Sequence, residues 1–194
     1  MIPWLKNRIV LALAIVALVQ TGVLAGVVAD RIRLLKSGRE ITLPIVPVDP
    51  RDLFRGEYVR LGYDIGSVHA RLLEGPLPEP NAAFYVTLER KPDGTWVPIK
   101  LARTWSEENS PDRIVLKARA MSGRLYQDLT NPNAVHSVRY GIESYFVREG
   151  EGPRLEALAR DKKLAARIAV DKSGNAAIKG LLIDGVLQYE EPLF

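Results

Sequence analysis

Hydrophobic and polar positions follow two different regimes along this chain. From Ile9 to Ala29 (IVLALAIVALVQTGVLAGVVA) about 21 residues carry no charge, and only Gln20 and Thr21 interrupt the apolar run. That length matches the roughly 30 Å hydrocarbon core of a bilayer at about 1.5 Å per helical residue, and without a polar stripe it is not an amphipathic soluble helix. Beyond it the pattern changes to alternation. Glu40 to Val48 is extended, and Pro44 and Pro47 restrict it to an edge strand or an irregular strand because neither donates to a ladder. Asp49-Pro50-Arg51-Asp52 turns the chain, and in the strand that follows Val59, Leu61, Tyr63 and Ile65 share one face. Phe84–Arg90 and Trp96–Trp105 flank a hairpin signal at Lys91–Thr95, and Arg113–Met121 alternates as a third strand. Ser137–Val147 reads as a strand broken or bulged at Gly141, and Pro153–Asp161 as a helix with Leu155, Leu158 and Ala159 on one stripe. Leu164–Val170 and Ala176–Ile183 enclose a second hairpin turn at Asp171–Asn175, and Leu187–Phe194 adds a short edge strand. The sum is a mainly β fold, an antiparallel sandwich or open barrel with one short helix, preceded by a single N-terminal transmembrane helix. The expected division is a tail, anchor and juxtamembrane helix over 1–38 and an extracytoplasmic β-domain over 39–194.

Flanking residues fit an anchor. Lys6 and Arg8 precede the apolar run, Asp30, Arg31, Arg33 and Lys36 follow it, and Trp4 stands at an interfacial position. A cleaved signal is the rival, since Val27 and Ala29 are small residues before Asp30, but a signal core is normally only about 7 to 15 residues long. Basic residues on the two sides nearly balance. The short tail and the order of basic, apolar and small residues favour an inside amino terminus and a periplasmic domain. Of 27 basic residues, the two before the run leave 25 against 23 acidic ones, interleaved rather than clustered, so no nucleic-acid footprint is present. The absence of cysteine removes disulfides, thiolate nucleophiles and thiolate metal sites.

Gly56-Glu57-Tyr58-Val59-Arg60-Leu61-Gly62-Tyr63 resembles the signature of the GDYXXLXY family of bacterial membrane-anchored proteins, with Glu57 where aspartate is usual. Its motif positions here are Gly56, Glu57, Tyr58, Leu61 and Tyr63. Arg139–Val147 with Glu149-Gly150-Glu151-Gly152 is similar to the family's second block, a strand running into a glycine-rich turn and helix. The resemblance implies a membrane-anchored, mostly β protein and no reaction, and the expected location is the bacterial inner membrane, single-pass.

Most of the concentrated chemistry lies in these two blocks. Arg51, Asp52, Arg55, Glu57 and Tyr58 cluster in the first, and strand alternation puts Arg139, Glu143 and Tyr145 of the second on one face. Pairing of the blocks would make a polar patch suited to a peptide end, a carboxylate or a glycan. A purely structural reading stands beside it: Gly56 permits a tight turn, Leu61 and Tyr63 are core, and Arg and Glu pair across strands. Pro50, Leu53 and Gly56–Val59 also resemble a stretch of bacterial signal peptidases, but positions 45–49 hold no serine nucleophile. Ser122 and Ser144 have no motif around them, His69 and His136 lack metal-ligand spacing, and Glu107-Glu108 lies in a polar loop. Asp171, Ser173 and Asn175 form a turn rather than an oxygen-ligand loop. No catalytic residue, metal or cofactor is therefore expected. The reading is a non-catalytic envelope binding or accessory protein acting with another membrane protein. The alternatives are a degenerate peptidase-like or carboxylate-based hydrolase and a small-ligand or peptide binder. Besides lipid, Gly22 and Gly26 at GxxxG spacing suggest packing against a multi-pass inner-membrane protein or self-association. The long apolar run predicts that the protein stays in the membrane fraction with its anchor intact, and a mature amino terminus at Asp30 would contradict it.

Overall fold

A computed structural model describes residues 3–36, 38–47, 58–73, 82–108, 110–120 and 134–190. Helix α1 (Pro3–Leu35) runs beyond the apolar segment at both ends. It is the one helix among the described residues long and apolar enough to cross a membrane, and none of its apolar window is buried by the rest of the chain. Leu35, 2% exposed, is the fully buried residue of the helix, which packs against β9 (Leu164–Val170) and β10 (Ala176–Ile183).

The rest of the described chain forms three antiparallel sheets. In the first, β1 (Arg39–Pro44) pairs with β9, β9 with β10, and β10 with β11 (Val186–Glu190). Its outer positions follow from sequence: β1 ends at Pro44, and only Ile41 and Leu43 of that strand face the core. The second sheet is β2 (Tyr58–Arg60) with β8 (Ser144–Phe146). The third has the order β3 (Ser67–His69), β7 (Val135–Arg139), β6 (Arg113–Ala120), β4 (Ala83–Arg90), β5 (Trp96–Ala102). Helix α2 (Gly152–Arg160) buries Leu155 and Ala159, four residues apart, against β2 and β9.

Main-chain bonds join the sheets around one hydrophobic core. Ile45 N–H donates to Leu164 and Val46 N–H to Gly62, each at 3.0 Å, so the chain after β1 bridges the first sheet to the motif segment. β6 meets β7 only at Arg119 and Ala120, which leaves part of its edge open. The turn between β9 and β10 fills that gap, with Lys117 N–H donating to the Gly174 carbonyl at 2.8 Å. This turn is stiffened by Asp171, whose Oδ1 accepts the Ser173 and Asn175 N–H groups at 2.8 and 2.9 Å. The other hairpin uses the same device, Asp93 Oδ1 accepting Thr95 N–H at 2.9 Å.

Both hairpins, the edge position of β1, the break at Gly141 and α2 appear where the sequence pattern predicts them. The last strand ends at Glu190, and the remaining predicted residues lie outside the described ones. β10 passes so close to β11 that a Cβ at Gly180 would overlap the Tyr189 carbonyl and crowd a Leu187 methyl. Gly180→Ala is expected to destabilise the protein by about 1–3 kcal/mol, seen as a lower melting temperature of the detergent-solubilised full chain.

Candidate functional site

The two sequence blocks meet in the fold. β2 and β8 pair with Tyr58 opposite Phe146, Val59 opposite Tyr145 and Arg60 opposite Ser144, and Leu61 N–H then donates to Glu143 O at 3.0 Å. Past β2 the chain enters a 3-10 turn at Asp64–Gly66, while past β7 it turns through Tyr140–Glu143. A reciprocal pair of phenols locks these turns together. Tyr63 donates its hydroxyl to the Ile142 carbonyl at 2.9 Å, and Tyr140 donates to the Ile65 carbonyl at 2.7 Å. Both rings are buried, and that burial, with the Glu143 charge as the lesser cause, pushes both phenols far above their ordinary value of 10.0. They are neutral donors and not acid–base groups. Glu143 completes the joint, its carboxylate accepting Tyr140 N–H at 2.6 Å and Gly141 N–H at 3.0 Å. Gly141 takes φ +83°, which aims two successive N–H groups at one carboxylate.

Of the predicted site residues, Arg51, Asp52, Arg55, Gly56 and Glu57 lie outside the described ones, and Tyr58 is placed by its backbone in β2. Leu61 and Tyr63 of the motif are core. The expected common face of Arg139, Glu143 and Tyr145 does not form, because the Gly141 turn interrupts the alternation. Arg139 is exposed at the end of β7, Glu143 is half-buried as a backbone cap, and Tyr145 is buried in β8.

Arg139 instead joins residues that the sequence did not single out. Its cross-strand partner is Arg119, and Lys117 lies two residues earlier on the same face of β6. These three line an open groove of about 820 Å³ with Tyr140, Gly141, Glu143 and Asn175. Among the described residues none of the three cations has a carboxylate partner. Glu143 is already occupied by two N–H groups, and the Asn175 side chain is tied to Asp171 at 2.8 Å. Like charges directly opposite across a ladder repel, so the groove is a positive site suited to an oxyanion gripped by guanidinium forks. The available signal was the alternation that puts Lys117 and Arg119 on one face, but the β6–β7 register is not readable from either strand alone.

Among the described residues no group of three His, Asp or Glu side chains converges as a metal site. His136 faces the core opposite Val68, while His69, opposite Val135, occupies the next rung and the other face.

The family profile described as GDYXXLXY protein matches residues 20–181, most of the chain. The chain belongs to the GDYXXLXY family. No curated protein and no solved structure matches it. The matched span begins inside α1 and ends in β10, so it contains both the tyrosine joint and the cationic groove of this GDYXXLXY protein.

Tyr63→Phe and Tyr140→Phe should each cost about 1–2 kcal/mol, because each leaves a buried carbonyl without its donor. The folded phenols titrate above the unfolded value of 10.0, so their contribution is complete below that pH and is lost as pH rises above it. Melting curves across that range should show a steeper alkaline loss in the parent than in the double Phe variant.

Proposed function

We propose that this GDYXXLXY protein is a non-catalytic binding or accessory protein of the bacterial envelope. In this reading α1 holds it in the inner membrane, the β-domain lies in the periplasm, and it acts with another membrane protein. The observation that carries the reading is the cationic groove, where Arg119 and Arg139 stand opposed beside Lys117 with no acidic partner among the described residues. A repulsive pair of this kind is relieved by an incoming anion, and a peptide end or other carboxylate on the partner supplies one. Tyr63 of the signature serves the fold through its bond to the Ile142 carbonyl, away from the groove cations.

A photocrosslinking residue at Ala176, on the groove wall, tests this in intact membranes. Capture of a discrete partner that disappears in Arg119→Glu/Arg139→Glu, with unchanged melting, is expected. Capture indifferent to the charge reversal would contradict the reading.

Helix pairing offers a second contact with the same partner or with another copy. Gly22 and Gly26 have open space where a Cβ would sit, one helical turn apart on α1. Gly22→Ile/Gly26→Ile should preserve insertion and abolish crosslinks through the helix. Crosslinking equal to the parent would leave recognition to the β-domain alone.

A further inference from the structure

The cations of the Lys117–Arg119–Arg139 groove are spaced, and the spacing selects among anions. Along β6, Lys117 and Arg119 are two residues apart on one face, about 6.6 Å at the rise of a strand. Arg139 stands directly across from Arg119, with about 5 Å between Cα atoms. The β6–β7 ladder includes only Arg119 and Ala120 of β6, and the Lys117 N–H goes to the Gly174 carbonyl instead, so no β7 residue pairs with Lys117. The groove therefore offers two points of positive charge, a doubled one at Arg119 and Arg139 and a single one at Lys117.

Main-chain donors of the kind that cradle phosphate are already taken here. Tyr140 and Gly141 aim successive N–H groups at one point, the form of an anion nest, and Glu143 fills it from within the same turn. Side-chain cations remain, and guanidinium forks match a planar carboxylate. Lys117, Arg119 and Arg139 set against the one charge of Glu143 leave a surplus of two. Ala120 and Ala176 wall the groove with nothing larger than a methyl group, which lets a main chain approach. On the reading above that the groove receives an acidic group of a partner protein, we infer that the partner presents an extended segment with two acidic side chains separated by one residue. An extended chain repeats its faces every second residue, so its two carboxylates have the spacing of Lys117 and Arg119. One carboxylate lies between the Arg119 and Arg139 forks and the other on the Lys117 ammonium. Adjacent acids would point to opposite faces and leave one of the two points unmatched.

Short dansyl-labelled peptides of alanine and serine, amidated at the carboxyl end, test this spacing. They carry Glu-Ser-Glu, Glu-Glu-Ser or a single phosphoserine, each with about two negative charges near neutral pH. Fluorescence anisotropy is followed against the full chain in phosphatidylcholine nanodiscs. The Glu-Ser-Glu peptide should bind about two- to five-fold tighter than the Glu-Glu-Ser peptide, the gain of one exposed ion pair. Lys117→Gln should remove that difference with an unchanged melting temperature, and Lys117→Arg should keep it. Equal affinity for both spacings in the parent overturns the two-acid segment, and so does a difference that survives Lys117→Gln. Tighter binding of the phosphoserine peptide overturns it as well, in favour of a phosphate ligand. If no peptide binds while crosslinking at Ala176 still depends on Arg119 and Arg139, the two-acid segment falls and the partner reading stands. If that charge dependence is absent too, both fall.

Discussion

Two phenolic hydroxyls and one carboxylate hold the turn after β2 against the turn after β7, and the arrangement of the three sheets depends on that joint. Tyr63 and Tyr140 each satisfy a carbonyl on the other's segment, while Glu143 satisfies two N–H groups of the turn that carries Tyr140. Buried main-chain groups without partners are strongly disfavoured, so neither segment can move without exposing the other. Gly62, between the motif residues Leu61 and Tyr63, also receives Val46 N–H, which links the same joint to the first sheet. The last tyrosine of the family signature is therefore explained by main-chain satisfaction rather than by ligand chemistry.

This division relocates the binding chemistry. Glu143 and Tyr145 read as a polar patch in one dimension, yet the first caps a backbone and the second packs in the core. Arg139 alone stays available, and register supplies Arg119 and Lys117 to it from β6. The polar groove is thus a product of strand pairing, while Leu61 and Tyr63 of the signature serve the core and the tyrosine joint.

Features that depend on neighbours in sequence were legible. Asp171 and Asp93 announce their hairpins because an aspartate caps N–H groups a few residues on, and Pro44 announces an edge because it lacks a donor. The uncharged length of α1 was equally plain. Features that depend on register were not. Strict alternation through Arg139–Tyr145 fails in the turn at Gly141, whose φ is positive: Ile142 is still buried in step with Tyr140, but Tyr145 is buried where the pattern of Arg139 would expose it. The opposition of Arg119 and Arg139 joins segments far apart in the chain, and no periodicity within either segment encodes the meeting.

Native-state amide hydrogen exchange measures the joint directly. Leu61, Gly66, Tyr140 and Gly141 each place an N–H on a partner inside it. If the joint holds the sheets together, these amides exchange only with global unfolding, as slowly as those in the centres of β4 and β6. Exchange at rates typical of exposed loops, while β4 and β6 remain protected, would show that the sheets stand without it and contradict the account.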